Sequence, residues 1–312
     1  MSGDRLRDLI ERESILQCPG VHDPLTAAVA GAVGFDAIYM TGYGTSLSRT
    51  GYPDAGFLTM PEIIENARNV QERVDVPVIA DADNGYGNAT NVIRTVREYV
   101  KAGVGAIHIE DQTFPKRCGH TTGRQLVPTN EAAGKIAAAA DVRDERDESF
   151  VIIARTDARG VSGGSLDDAI DRVHAYLEAG ADVAFVEGPT DEDEVERIGR
   201  EVDAPLLYNC VGASGVSPYV PPDDLEAYGY DVVIYPLAST LATIAGTYEV
   251  LSAFERDGID ALAALDERFE DLPIGDVHEF SGFGQVVEWE RAYMPAAEQE
   301  KYDGSIGKDA DR

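Results

Sequence analysis

The sequence predicts an α/β fold, a (β/α)8 barrel of the TIM type, and three observations carry that prediction. One pattern recurs four times: a glycine, then a short apolar run beginning a residue or two later. Helical periodicity precedes two of those glycines. Nearly every apolar run ends in a polar or ionisable residue, as expected where a barrel builds its site at the C-terminal ends of its strands. An open doubly wound sheet is the structural alternative.

The elements follow in chain order. Residues 1–14 are charged and read as a helix, not as a secretory leader. A first strand is expected at about 16–21. Gly34 to Met40 gives the first copy of the repeat, and its near-continuous apolar run reads as a parallel strand buried on both faces. Thr59 and Glu62 have capping-box spacing, with Pro61 in the first turn of the helix they open. A strand is expected at 77–81. Val92, Ile93, Val96, Tyr99 and Val100 then share one helical face. Gly103, placed to end that helix in a left-handed turn, leads into the strand through Ile109. Another strand is expected at 150–156, followed by a helix with Ala169, Ile170, Val173, Tyr176 and Leu177 on one face. Strands after Gly180, at 205–209 and after Gly229 complete eight.

A chain of 312 residues accommodates such a barrel, which takes about 250. No linker interrupts 15–255. Residues 1–255 are therefore assigned to the barrel, and 256–312 to a helical extension and polar, mobile tail of the same domain.

Composition narrows the partners. There are 57 acidic against 26 basic residues, a net charge of -31, and only five of the basic residues are lysines. Such a surface repels nucleic acid and anionic membranes. Spread along the whole chain, it suits a halophilic protein dissolved in concentrated salt. Three scattered cysteines make neither a disulfide scaffold nor a zinc ribbon, which points to a reducing cytoplasm. No apolar run approaches the roughly 18 residues of a membrane span.

The strand ends collect Asp23, Tyr39, Thr41, Asp81, Asp83, Glu110, Asp111, Arg155, Asp157, Glu187 and Asn209. Asp81 and Asp83, two residues apart and followed by glycines, can face one hard cation such as Mg²⁺, with Glu110 beside them. A solvent-exposed acidic turn is the alternative. Cys118 stands between Lys116, Arg117 and His120, a setting expected to lower its pKa from about 8.5 and make it an acid, base or nucleophile. A buried inert thiol is the alternative there, and the favoured reading for Cys18 and Cys210. Arg155 ends an apolar strand, where its fork suits a carboxylate ligand or an internal pair with Asp157 or Glu187. His108 is a core histidine or a site residue.

Taken together, Tyr39–Gly42, Pro53–Gly56, Asp81–Gly85, His108–Gln112, Lys116–His120, Ala154–Asp157 and Glu187 resemble the isocitrate lyase and phosphoenolpyruvate mutase superfamily, in family order across about 15–250. The Lys116–His120 loop resembles its lyase branch. That resemblance implies a (β/α)8 barrel whose eighth helix swaps between subunits, giving a homo-oligomer, a dimer of dimers. It implies that Asp81 and Asp83 hold Mg²⁺ (or Mn²⁺), supported by Asp54 and Glu110. Thr41, Gly42 and Tyr43 would cradle the oxo-acid carboxylate and Arg155 would clamp it. Gly119, His120 and Asn209 would face the succinate half, and Cys118 would be the acid. Thr41 replaces a usual serine. The Ser-Pro-Ser run expected after Asn209 is missing, with Ser214 or Ser217 as substitutes.

The implied reaction is a retro-aldol cleavage of a tricarboxylate, with Tyr39 or Glu187 as the base and 113–124 as a lid. Tyr43, Tyr208 to Cys210 and the stretch 123–129 resemble the isocitrate branch, so the expected reaction is that of the glyoxylate cycle, isocitrate to glyoxylate and succinate. 2-Methylisocitrate is the alternative substrate. An oxaloacetate decarboxylase or hydrolase of the superfamily, or a non-catalytic dicarboxylate-binding barrel, stands further off.

Overall fold

A computed structural model describes residues 2–212, 215–295 and 298. Its eight strands are β1 (Leu16–Val21), β2 (Ile38–Met40), β3 (Val78–Asp81), β4 (Ala106–Glu110), β5 (Val151–Thr156), β6 (Val183–Val186), β7 (Leu206–Asn209) and β8 (Val232–Tyr235). All neighbouring pairs are parallel, in sequence order. Leu16 of β1 pairs with Val232 of β8, which closes the sheet into a barrel and removes the open-sheet alternative.

Before β1 lies α1 (Ser2–Ile10). The outer helices are α2 (Pro24–Val33), α3 (Gly42–Thr50), α4 (Met60–Arg73), α5 (Ala89–Ala102), α6 (Thr129–Arg146), α7 (Leu166–Glu178), α8 (Glu192–Glu201) and α9 (Pro222–Ala227). Gly34 and Gly103 cap α2 and α5 in the left-handed region, at φ 97° and 82°, where a side chain would be strained. The Thr59–Glu62 capping box opens α4. The short α3 was not anticipated; its polar, glycine-containing sequence carries little apolar periodicity.

Strand side chains alternate between two buried environments. Leu16, Tyr39, Ile79, Val151, Phe185, Leu207 and Val232 form one cluster, onto which α1 lays Leu6 and Ile10. Ile38, Met40, Val78, Ile107 and Ile152 belong to another, with the apolar faces of α4 and α5. Both faces being covered is why these strands read as unbroken apolar runs.

The chain divides into two compact units, Met1–Ala242 and Thr243–Arg312. The division falls inside α10 (Ala238–Asp257), whereas the sequence suggested a boundary at 255. The second unit also holds α11 (Ile259–Glu270), α12 (Val277–Ser281) and α13 (Phe283–Tyr293). Among the described residues, no helix is long and apolar enough to cross a membrane. The expected mobile tail lies almost wholly outside the described residues.

Asp111 fastens the rear of the barrel mouth. Its carboxylate accepts hydrogen bonds from the Thr156 hydroxyl (2.6 Å), the Asp157 N–H (3.0 Å), the Tyr176 hydroxyl (2.8 Å) and Arg172 (3.2 Å). This ties the ends of β4 and β5 to α7. Asp111→Ala strands those donors in a buried site and is expected to cost about 3 kcal/mol of folding stability. Chemical denaturation measures it; a loss under about 1 kcal/mol would show that the network is not a fastening.

Candidate active site

The residues that the sequence placed at strand ends converge on one mouth of the barrel. A cavity of about 130 Å³ is lined by Tyr39 of β2, Thr41 and Tyr43 just beyond it, Asp54 in the following loop, Asp81 of β3 and Arg155 of β5. Glu187 after β6 and Asn209 of β7 complete the strand contribution, and Cys118, Gly119, His120 and Thr121 come from the 113–124 loop. Gly42, Asp83 and Glu110 do not line it; they lie packed around it. Val211, Pro236 and Leu237 add apolar lining that sequence reading missed, because nothing distinguishes them from core residues.

One part of the site is anionic. Asp81 accepts the N–H of Gly42 at the start of α3 (3.1 Å), the Tyr39 hydroxyl (3.3 Å) and the Asp83 N–H (2.9 Å). Burial opposes its charge, but His108, Lys116 and Arg155 outweigh burial and hold the carboxyl down at about 2. Asp83 is pushed up to about 6, by burial first and by Asp81 and Asp54. Glu110 is fully buried and raised well above the carboxylate range for the same first reason. Neither of its carboxylate oxygens has a hydrogen-bond partner among the described residues. Lys116 alone sits between the acids, 2.7 Å from both Asp54 and Asp83. Sequence reading saw Lys116 only as a neighbour of Cys118; as one of five lysines in an acidic chain, it was the available signal.

These donors fit a hard cation. All are carboxylates, they outnumber the ammonium among them, and Glu110 is an orphaned buried acceptor. Among the described residues, no three Cys, His, Asp or Glu side chains converge as a ready metal cage. The arrangement suits an ion that keeps several waters, as Mg²⁺ does, and not a zinc-type site.

The other part is built around one guanidinium. Arg155 donates to Asp157 from Nε (3.0 Å) and Nη2 (3.1 Å), and Nη2 lies 3.2 Å from Glu187. The sequence offered an anion clamp or an internal pair; the guanidinium is internally paired and also faces the cavity. Glu187 accepts from Asn209 (2.8 Å) and lies 3.1 Å from His120 Nε2, while His120 Nδ1 accepts the Val216 N–H at 3.1 Å. Gly119 rests on Arg155 and Glu187 so closely that a Cβ there would collide with both. Ser214 lies outside the described residues. Ser217 is buried but does not line the cavity.

One sequence expectation is corrected. The Cys118 thiol is not acidified: burial raises it to about 11. Lys116, expected beside it, points instead into the carboxylates. The two expected bases both lie in this site. Burial raises the Tyr39 hydroxyl well above its ordinary value, and it lies 2.8 Å from His108 Nε2. Burial opposes the charge of Glu187, but Arg155 and His120 overcome it and leave the carboxylate weakly basic. His108, itself lowered to about 4 by burial, belongs to the site through Tyr39 and Asp81. Cys18 and Cys210 are buried and half-buried, with thiols raised by burial, as inert cysteines are.

Comparison with known proteins agrees with this geometry. Residues 6–254 match the family model described as phosphoenolpyruvate phosphomutase. The chain is 44% identical to 2,3-dimethylmalate lyase of Eubacterium barkeri, over 93% of this chain and 97% of that one. It is 40% identical to 2-methylisocitrate lyase of Aeropyrum pernix, over 88% and 87%. Identity to isocitrate lyase of Haloferax volcanii is 36%, over 98% and 91%. Among solved structures, 2,3-dimethylmalate lyase superposes with a TM-score of 0.87 at 33% identity, covering 98% of this chain and 99% of that one. Phosphonopyruvate hydrolase in complex with oxalate and Mg²⁺ superposes with a TM-score of 0.80 at 32% identity, covering 95% and 100%. The chain belongs to the phosphoenolpyruvate mutase/isocitrate lyase superfamily and is one of its carbon–carbon lyases.

Proposed function

We propose that this enzyme cleaves a 2-hydroxy polycarboxylate by a Mg²⁺-dependent retro-aldol reaction, giving a 2-oxo acid and a carboxylate. One observation carries the reading: a single cavity is lined by the Asp81 carboxylate, the Arg155 guanidinium and a protonated Cys118 thiol. Asp81, with Asp83, Asp54 and Glu110 behind it, would hold the cation; the solved hydrolase complex with oxalate and Mg²⁺ supports this. When bound, Mg²⁺ polarises the substrate oxygen as a Lewis acid.

The chain's own groups supply the rest. The substrate hydroxyl loses its proton and becomes a carbonyl as the adjacent carbon–carbon bond breaks. That proton has a route through the Tyr39 hydroxyl to His108 Nε2, which needs no standing phenolate. The bond electrons pass to a carboxylate-stabilised carbanion, and Cys118 protonates that carbon. Arg155, with Gly119, His120 and Asn209 around it, anchors substrate carboxylates. The 113–124 lid excludes water.

Isocitrate is the substrate favoured by the pocket wall. Tyr43 takes volume in the lining of the cavity, and isocitrate carries one methyl fewer than 2-methylisocitrate on its reacting carbon. A second reading, a methyl-bearing substrate, is favoured by the higher identity to 2,3-dimethylmalate and 2-methylisocitrate lyases. A methyl in a pocket is worth about 1–3 kcal/mol. In kcat/KM measured with Mg²⁺ in molar KCl, isocitrate is expected to lead by about tenfold, the same range. A tenfold preference for 2-methylisocitrate or 2,3-dimethylmalate would transfer the assignment to that substrate. Homo-oligomerisation and dependence on salt belong to the same proposal, supported by the resemblance and by the net charge of -31.

A further inference from the structure

Of the three lysines among the described residues, Lys101, Lys116 and Lys135, the last two lie buried at this mouth of the barrel. Lys116 is explained by its carboxylates. Lys135, on α6, is only 3% exposed and makes no ion pair with Asp or Glu among the described residues. Its Nζ donates to the carbonyl oxygen of Asn84 at 3.0 Å. An ammonium in that position is costly, and an apolar side chain of similar length would fill the space between α6 and the barrel at less cost. Packing alone does not call for a lysine.

Asn84 is the residue after Asp83, in the turn that leaves β3. That turn is unusual. Asp83 has φ 46° and Tyr86 φ 59°, both in the left-handed region without being glycine. Such a backbone persists only where its surroundings hold it. Here the Asp81 carbonyl accepts from the Tyr99 hydroxyl (2.7 Å) and the Asp83 carbonyl from the Glu110 N–H (2.9 Å). The Asn84 carbonyl is held by Lys135. A small cavity of about 10 Å³, close to what one water needs, is lined by Lys135, Glu110, Asp111 and Tyr176. It gives the remaining ammonium protons a path toward Glu110, whose oxygens accept no hydrogen bond among the described residues and lie 3.6 Å from Arg155 Nη2.

We propose that Lys135 is a positioning residue for the metal site: it fixes the 81–84 strand end from behind by binding the Asn84 carbonyl. It also supplies positive charge on the side of Glu110 remote from the cavity. The inference rests on the Mg²⁺ reading given above. Burial pulls the Lys135 ammonium below its ordinary value, opposed by Glu131, Asp111 and Glu110.

The test compares wild type, Lys135→Met and Lys135→Gln, with Mg²⁺ affinity from calorimetric titration and Tm with and without Mg²⁺ as readouts. Wild type is expected to bind Mg²⁺ and gain Tm from it. Lys135→Met is expected to keep or raise the metal-free Tm, bind Mg²⁺ at least tenfold more weakly and lose most of the Mg²⁺-dependent gain. Lys135→Gln carries the same tenfold expectation and decides the matter if the Met variant does not fold. Binding within twofold of wild type in a folded variant would overturn the proposal. So would a fall in metal-free Tm with Mg²⁺ affinity unchanged, since that marks a purely structural lysine. Absence of Mg²⁺ binding by wild type would instead overturn the metal reading itself, and so stands apart from failure of the Lys135 assignment.

Discussion

Exhaustive treatment with EDTA is expected to bring carbon–carbon cleavage to background, and Mg²⁺ or Mn²⁺ to restore it. Asp54, Asp81, Asp83 and Glu110 surround one ammonium, Lys116, and burial pushes both Asp83 and Glu110 toward their neutral forms. A divalent cation supplies the missing positive charge and lets all four ionise. Carboxylate donors favour Mg²⁺ and Mn²⁺ over Zn²⁺, so Zn²⁺ should restore little. Full turnover after complete chelation would remove Asp81 and Asp83 from a metal-binding role.

Cys118→Ser is expected to lower kcat by about 10²–10⁴-fold, the usual worth of a general acid. The thiol at about 11 is protonated throughout the neutral range, yet far more acidic than an aliphatic hydroxyl. It can give its proton to a carbanion, and serine in the same place cannot do so at a comparable rate. Binding of succinate should change much less than turnover, because the hydroxyl is smaller and fits the same space. The raised value also fixes the pH dependence. The acid form persists until pH nears about 11, so any alkaline fall in rate below pH 10 belongs to another group. A Ser variant within threefold of wild-type turnover would rule out Cys118 as the donor.

The barrel was legible because its signals are local and repeated. Gly34 and Gly103 each close a helix and precede a strand, and burial on both strand faces writes an apolar run directly into the sequence. The candidate site was legible for a related reason. A charged residue such as Asp81 or Arg155 at the end of an apolar strand is expensive unless something uses it. What failed was inference from sequence neighbours to spatial neighbours. Lys116 is two residues from Cys118, but its side chain reaches the loop carrying Asp54 and leaves the thiol to be governed by burial. Glu187 looked like a free base until its three partners, Arg155, His120 and Asn209, were assembled from two other strands and the 113–124 loop. Lys135 gave no motif at all; only its rarity in a lysine-poor chain marked it.

The pairing of β1 with β8 has a bearing on how the enzyme comes into being. Leu16 and Val232 are neighbours in the finished sheet yet more than two hundred positions apart along the chain. A nascent polypeptide emerging from the ribosome cannot make that contact until the last strand has been synthesised. Pro236 and Leu237, which wall the cavity, come later still. Closing so long a loop is slow, and it leaves the first strands with an unpaired edge for most of translation. Fragments ending before about residue 232, where β8 begins, would hold most of the chemical groups and still lack a closed vessel in which to use them.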